Sequence, residues 1–389
     1  MNRGNDLRAR IKQEARNLGI DLIGFSRART LAEVRSYLER RAAEGRTTGL
    51  ECLDIELRVD PERILPGART IITAGISYWQ EEPQGDGLAR GSLSRSAWGK
   101  DYHRILGNKL ERLAGFTRDE SGAAVKWFVD TGPPVDRALA VEAGLGWSGK
   151  NCALINPEFG SWVFLGQIYT ELELEPDSGL APDCGECDLC LKACPTGALR
   201  EAHIIDPYRC ISYLTQMKGF VPLQYRPLME TKIYGCDTCQ AVCPANQAPR
   251  PGAPEFAPEL ETVRPRLQEL LHLSNREFKA RFGESAAGWR GRTVLQRNAL
   301  IALGNLKMPG AVADISVCLR DDRAVIRGHA AWALGEIGDR SALRQLEEAL
   351  RREQDPKAVA RLRGVPPARQ APRVPLSTGS SSSSPDLVE

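Results

Sequence analysis

The sequence predicts three consecutive domains: an α/β domain, a small cysteine-rich metal-cluster domain, and an all-α repeat domain. Three observations carry that prediction. Helix-patterned and strand-patterned segments alternate over residues 1–170, eight of the eleven cysteines crowd between Cys184 and Cys243, and two segments 31 residues apart repeat one another. The chain has 389 residues, 42% of them apolar, enough for two to three domains each with its own core. With 52 Lys+Arg against 50 Asp+Glu the formal charge is +2, which excludes a protein basic throughout but not a locally basic face. There is no run of about 18 apolar residues, so a transmembrane helix is excluded. The charged, helix-patterned amino-terminal stretch has no apolar core of the signal-peptide kind, so a cytoplasmic location is expected.

In the first domain (1–170), Leu7, Ile11, Ala15 and Leu18 recur at helical spacing, with Gly19 where a helix would close. Thr30 and Glu33 have capping-box spacing at the head of a helix carrying Leu31, Val34 and Leu38. Thr70–Tyr78, Val125–Asp130 and Ser161–Thr170 are rich in β-branched and aromatic residues and read as strands. Asp136–Ala143 reads as a helix closed by Gly144. Asp130 ends a strand, where ligand sites in α/β domains gather, and the following Thr-Gly-Pro-Pro forces a turn. Taken alone, Asp130 as a turn cap, Asp136 as an N-cap and His103 on a helix surface are the more ordinary readings.

The second domain (171–250) opens with seven acids and no base between Glu171 and Asp188. It then shows Cys184-x2-Cys187-x2-Cys190-x3-Cys194-Pro195, the bacterial ferredoxin spacing. A second copy, Cys236-x2-Cys239-x3-Cys243-Pro244, has Ile233 in place of its first cysteine, and Cys210 is the nearby spare. Because the fourth cysteine of such a run ligates the other cluster, one [4Fe–4S] cluster is assigned to Cys184, Cys187, Cys190 and Cys243. The second is assigned to Cys194, Cys210, Cys236 and Cys239. Two four-thiolate zinc sites are the alternative, although zinc ribbons favour two separated C-x2-C pairs.

Four prolines between residues 248 and 260 predict an extended connector. In the third domain (260–364), residues 294–306 (VLQRNALIALGNL) align with 325–337 (VIRGHAAWALGEI), a pattern that resembles a HEAT-type repeat of paired helices. Eight basic residues against three acids lie between Arg264 and Arg297, so this domain offers either a phosphate-binding face or an ordinary solvated one. Residues 365–389 are too poor in apolar residues to fold and are expected to be disordered.

Together, DTGPPVDRALA, GWSGKN, the double cysteine frame beginning CGECDLCLKACPTGAL and the trailing repeat resemble the epoxyqueuosine reductase family over about residues 5–340. The resemblance implies a nitroreductase-like, cobalamin-binding α/β domain beside two [4Fe–4S] clusters. It implies reduction of epoxyqueuosine to queuosine at the wobble position of tRNA, with an external electron donor such as flavodoxin or ferredoxin. It makes Asp130 the proton donor, with Asp136 as fallback, and burial is expected to raise the donor's pKa. Arg58, Trp98, Tyr102, His103, Asp130, Lys150, Asn151 and Cys152 fall in segments matching the cobalamin pocket. The cofactor is expected base-off without a histidine ligand, and the near-motif Asp101-x-His103 departs from D-x-H-x-x-G because Leu106 stands in the glycine position. Arg292, Arg297, Arg323 and Arg327 are the candidate tRNA contacts. A reductive dehalogenase-like enzyme and a two-cluster electron-transfer protein are the competing readings.

Overall fold

A computed structural model describes residues 3–180, 183–247 and 249–352. The expected disordered tail, 365–389, lies outside the described residues. Helix α1 (Arg3–Asn17) leads through Gly19, in the left-handed region at φ +67°, into strand β1 (Leu22–Arg27). Helix α2 (Ala32–Ala43), strand β2 (Thr70–Ser77), helix α3 (Tyr102–Ser121), strand β3 (Val125–Val129), helix α4 (Asp136–Glu142) and strand β4 (Val163–Thr170) follow. The strands form one sheet in the order β1-β2-β4-β3. Every neighbouring pair is antiparallel, with Thr70 opposite Thr170 and Val129 opposite Gly166.

Both faces of the sheet are covered, which is why β2 is buried along its whole length. Ile72, Ala74 and Ile76 point to one side, against Ile11 and Ala15 of α1 and Leu106, Leu110 and Leu113 of α3. Ile71 and Tyr169 point to the other, against Leu38 of α2 and Leu139 of α4. The three expected strands and the three expected helices are all present. Two local features differ. Strand β1 has no strong alternation and gives no clear signal in the sequence. Helix α2 begins at Ala32 with Leu31 as N-cap and no side-chain cap, so Thr30 does not form the capping box.

The cysteine-rich segment contributes three short helices: α5 (Leu189–Ala193), α6 (Ile211–Gln216) and α7 (Thr238–Ala241). It is stitched to the first domain. Strand residues Lys232–Tyr234 pair in parallel with Ser92–Leu93, and Asp237 accepts from the Arg95 N–H (2.8 Å) and the Ser94 hydroxyl. The connector then runs extended beside the end of β2, with Gly252 and Ala253 N–H groups donating to the Trp79 and Ser77 carbonyls.

Helices α8 (Leu267–His272), α9 (Asn275–Phe282), α10 (Arg292–Asn305), α11 (Val312–Cys318), α12 (Ala324–Ile337) and α13 (Arg340–Arg352) complete the described chain. The two aligned repeat segments are α10 and α12, and they pack on each other. Gly304 makes this possible, because a Cβ there would meet the Trp332 ring at 2.8 Å and the Ala333 Cα at 2.9 Å. The core of the helical domain also takes in Leu93, Trp98, Ile233 and Tyr234 from the two preceding domains.

Candidate active site

Asp130 stands immediately after β3 with φ +48°, a left-handed conformation that is uncommon for a residue other than glycine. Such strain is retained where surrounding contacts fix it, and here the contacts are on the side chain. The Tyr102 hydroxyl donates to Asp130 Oδ2 at 2.7 Å, and His103 Nε2 lies 3.3 Å from the same oxygen. His103 Nδ1 lies 2.7 Å from Asp101 Oδ1, whose carboxylate also caps α3 by accepting from the His103 N–H. The Tyr102 ring is clamped between His103 and Phe164, each with centroids at 4.0 Å. Asp130 is thus the open end of a hydrogen-bonded chain, with its side chain 56% exposed.

The electrostatics overturn one expectation. Hydrogen bonding to His103, outweighing desolvation, holds Asp130 below the usual carboxylate range instead of raising it. Burial disfavours the charged form of His103, but its hydrogen bonds to Asp101 and Asp130 prevail and push it up to about 9. At neutral pH the proton therefore resides on the imidazole. Asp136, at the start of α4, behaves as Asp130 was expected to: desolvation and then the neighbouring Asp130 charge push it up to about 7.

The GWSGKN turn carries the other expected residues and abuts the cysteine loops. Lys150 Nζ donates to the Gly185 carbonyl (2.6 Å), and the Asn151 amide donates to the Cys239 carbonyl (3.4 Å). Cys152, with φ +65°, offers its carbonyl to Arg137, and its thiol is pushed up by burial with Cys190 as a neighbour. The side chain of Asn151 is buried and braces the cysteine loop. Trp98 is corrected: it is 3% exposed, donates to the Leu93 carbonyl and belongs to the helical core. Arg58 adjoins Asp136, and burial lowers its pKa.

The eight frame thiols fall into two neighbourhoods. Burial first, and then Cys184 and Cys243, push up Cys190, while burial and then Cys184 and Cys187 push up Cys243. Burial, with Cys236 and Cys194, pushes Cys210 up to about 11, and Cys239 is pushed up by burial and then by Cys236, Cys210 and Cys194. As thiolates these groups would repel one another in a low-dielectric setting, so ionising them together calls for a cationic partner.

The expected tRNA arginines divide. Arg297 is 1% exposed and donates to the Leu214, Thr215, Met217 and Gly219 carbonyls, and burial pushes it down to about 9, so it is a strut between domains and not a phosphate ligand. Arg323 is likewise spent on Asp321, Thr293 and Gln296. Arg292 and Arg327 are half-buried, each with one guanidinium nitrogen on backbone carbonyls. Sequence reasoning gave no role to Arg137, which donates to the Cys152 carbonyl, and met Asp101 only in the near-motif. Only Asp101 carried a signal, as the N-cap of α3.

An α/β domain presenting a proton-handling cluster, stitched to a frame of eight cysteines, defines an iron–sulfur oxidoreductase. Residues 58–131 match the family model described as Epoxyqueuosine reductase QueG, DUF1730, and residues 290–363 match HEAT repeats. Residues 183–246 match the 4Fe-4S double cluster binding domain, which favours iron–sulfur clusters over zinc in the cysteine frame. An epoxyqueuosine reductase of Bacillus cereus is 42% identical over 352 residues, covering 89% of this chain and 93% of that protein. A crystal structure of epoxyqueuosine reductase with an epoxyqueuosine-modified tRNA-Tyr stem loop superposes with a TM-score of 0.89 at 40% identity, covering 92% of this chain and 97% of that one. A Bacillus subtilis epoxyqueuosine reductase, described with an aspartate-bearing catalytic loop swung out of the active site, matches at 39% identity and a TM-score of 0.89, covering 92% and 98%. The chain belongs to the epoxyqueuosine reductase family.

Proposed function

We propose that this chain reduces epoxyqueuosine at the wobble position of tRNA to queuosine, with Asp130 handing a proton to the epoxide oxygen. The observation that carries the proposal is the exposed Asp130 carboxylate held by Tyr102 and His103 beside a turn that touches the cysteine loops. The reaction takes two electrons and two protons, breaks both C–O bonds of the epoxide, forms the alkene and releases water.

Two [4Fe–4S] clusters on the assigned cysteines would carry the electrons singly from an external donor such as flavodoxin or ferredoxin. Cobalamin, when bound, would supply low-potential, cobalt-centred reducing chemistry at the epoxide. The residues present suit such a group. Arg58 Nε and Trp147 Nε1 are buried without a hydrogen-bond partner, and these are polar atoms that an amide-rimmed corrin could satisfy. Arg58, Tyr102, His103, Lys150 and Cys152 would line it. Both ring nitrogens of His103 face carboxylates.

The residues of the chain then handle protons. Opening a C–O bond leaves negative charge on oxygen, and a positioned acid lowers that barrier. Asp130 is ionised while it faces His103, so its proton comes from the imidazolium behind it, and Asp136, near pH 7, is the adjacent reserve for the second proton. Arg292 is the remaining candidate for phosphate contact, and the chemistry implies a cytoplasmic enzyme.

The test is anaerobic incubation of iron-loaded protein with cobalamin, a reductant and epoxyqueuosine tRNA, followed by nucleoside mass analysis. Loss of one oxygen from the modified nucleoside is expected. Unchanged epoxyqueuosine with fully loaded protein would refute the activity.

A further inference from the structure

Trp289, in the loop ahead of α10, is 56% exposed. A large aromatic left in water is ordinary on its own, but this one is held in place. Its Nε1 donates to the Tyr234 hydroxyl at 2.8 Å, and that hydroxyl donates in turn to the Ala286 carbonyl at 3.0 Å. The Arg290 guanidinium lies over the indole at 3.9 Å from the ring centroid. The result is a flat cationic stack, fixed at one edge and open to solvent.

Its location ties it to the candidate active site. The loop carrying Trp289 accepts the Asp101 N–H on the Glu284 carbonyl, at the start of the helix that bears Tyr102 and His103. Tyr234, its anchor, is pushed up to about 12 by burial, and the Asp101 and Asp130 charges are close enough to add to that. Arg290 adds positive charge on the same side.

A base can react only after leaving its stack, and its former neighbours then lose a stacking partner. Aromatic and guanidinium planes restore that contact in single-stranded recognition. We propose that Trp289, with Arg290 stacked on it, is a platform for an unpaired anticodon-loop base adjacent to the flipped wobble nucleotide. The proposal rests on the tRNA-reductase reading and adds to it the residue that holds the opened loop.

The test uses iron-loaded full chain and a labelled anticodon stem-loop RNA, read by fluorescence anisotropy. Trp289→Ala should weaken binding by roughly tenfold, while Trp289→Phe, which keeps a stacking face, should stay within about threefold. Cluster absorbance of each variant checks the fold. An RNA with an abasic site beside the wobble position should bind wild type more weakly and Trp289→Ala no more weakly still, a measurement on wild type that does not depend on the variant. Equal affinity of wild type for intact and abasic RNA, or wild-type affinity in Trp289→Ala, would overturn the platform while leaving the reductase reading intact. Slower cluster reduction by a protein donor with RNA binding unchanged would reassign the surface to that donor. Failure of wild type to bind any stem-loop would instead remove the tRNA reading, and the platform with it.

Discussion

A carboxylate that must donate a proton is expected to be held neutral, yet Asp130 is held charged because its hydrogen bond with His103 outweighs its desolvation. The proton is stored one residue back. Asp130→Asn should therefore lower turnover by about 10²–10⁴-fold with iron content unchanged, measured as single-turnover rates on loaded protein. His103→Gln should slow the reaction and also alter its pH profile. The imidazolium is present below its folded pKa of about 9, so wild-type activity falls as pH rises through that value, and the variant's profile should lack this limb. Asp136 presents a different linkage. Its folded pKa of about 7 lies above the ordinary 3.8, so the folded state binds the proton more tightly and the stability it contributes is lost as pH rises through that interval. In thermal melts, Asp136→Asn should gain on wild type in Tm from about pH 4 to 7 and gain no more above. The strand end and the proline turn make Asp130 legible in the sequence. The charge of Asp130 is not legible there, because it depends on a hydrogen bond to a residue 27 positions away.

At the scale of elements, legibility follows periodicity and fails where context decides. Strand β2 is readable from a run of β-branched residues because both its faces are buried, whereas β1, interrupted by Gly24 and ending in Ser26 and Arg27, is not. Sequence spacing suggests a cap at Thr30, but the turn before α2 makes Leu31 the capping residue. The repeat is visible as an offset alignment, yet its two glycines do different things. Gly304 lies where α12 crosses α10, while a Cβ at Gly335 would meet nothing within 4 Å. Gly304→Ala should therefore destabilise the protein by about 1–3 kcal/mol through overpacking, and Gly335→Ala should stabilise it by up to about 1 kcal/mol through helix propensity. Urea denaturation separates the two, and equal effects would show that the close crossing of the helices is not what Gly304 provides.

Across the whole molecule, the three domains are less separate than their composition suggests, because Trp98, Ile233 and Arg297 all reach across their borders. That interlocking explains why basic residues counted along the chain do not equal a basic face: Arg297 is drawn inward as a strut. Salt dependence distinguishes the two kinds of arginine. If Arg292 meets a phosphate, Arg292→Gln should lower the slope of log affinity for tRNA against log salt by about 0.7–0.9, whereas Arg297→Ala should act on stability instead.

The same interlocking predicts how the cysteine domain responds to loss of iron. Helices α5 and α7, which carry Cys190 and Cys239, bury no residue of their own. By contrast, α6 buries Ile211, Leu214 and Thr215, packs with Val221, Met229 and Ile301, and is pinned by the Arg297 bonds. A segment with no apolar core depends on its metal for its fold. In hydrogen exchange after iron removal, the segments 184–194 and 236–243 should lose protection, while α6, the strand at Lys232–Tyr234 and the sheet β1–β4 retain theirs. Uniform loss of protection through α6 would show that the clusters, rather than the struts from the helical domain, hold the middle of the molecule together.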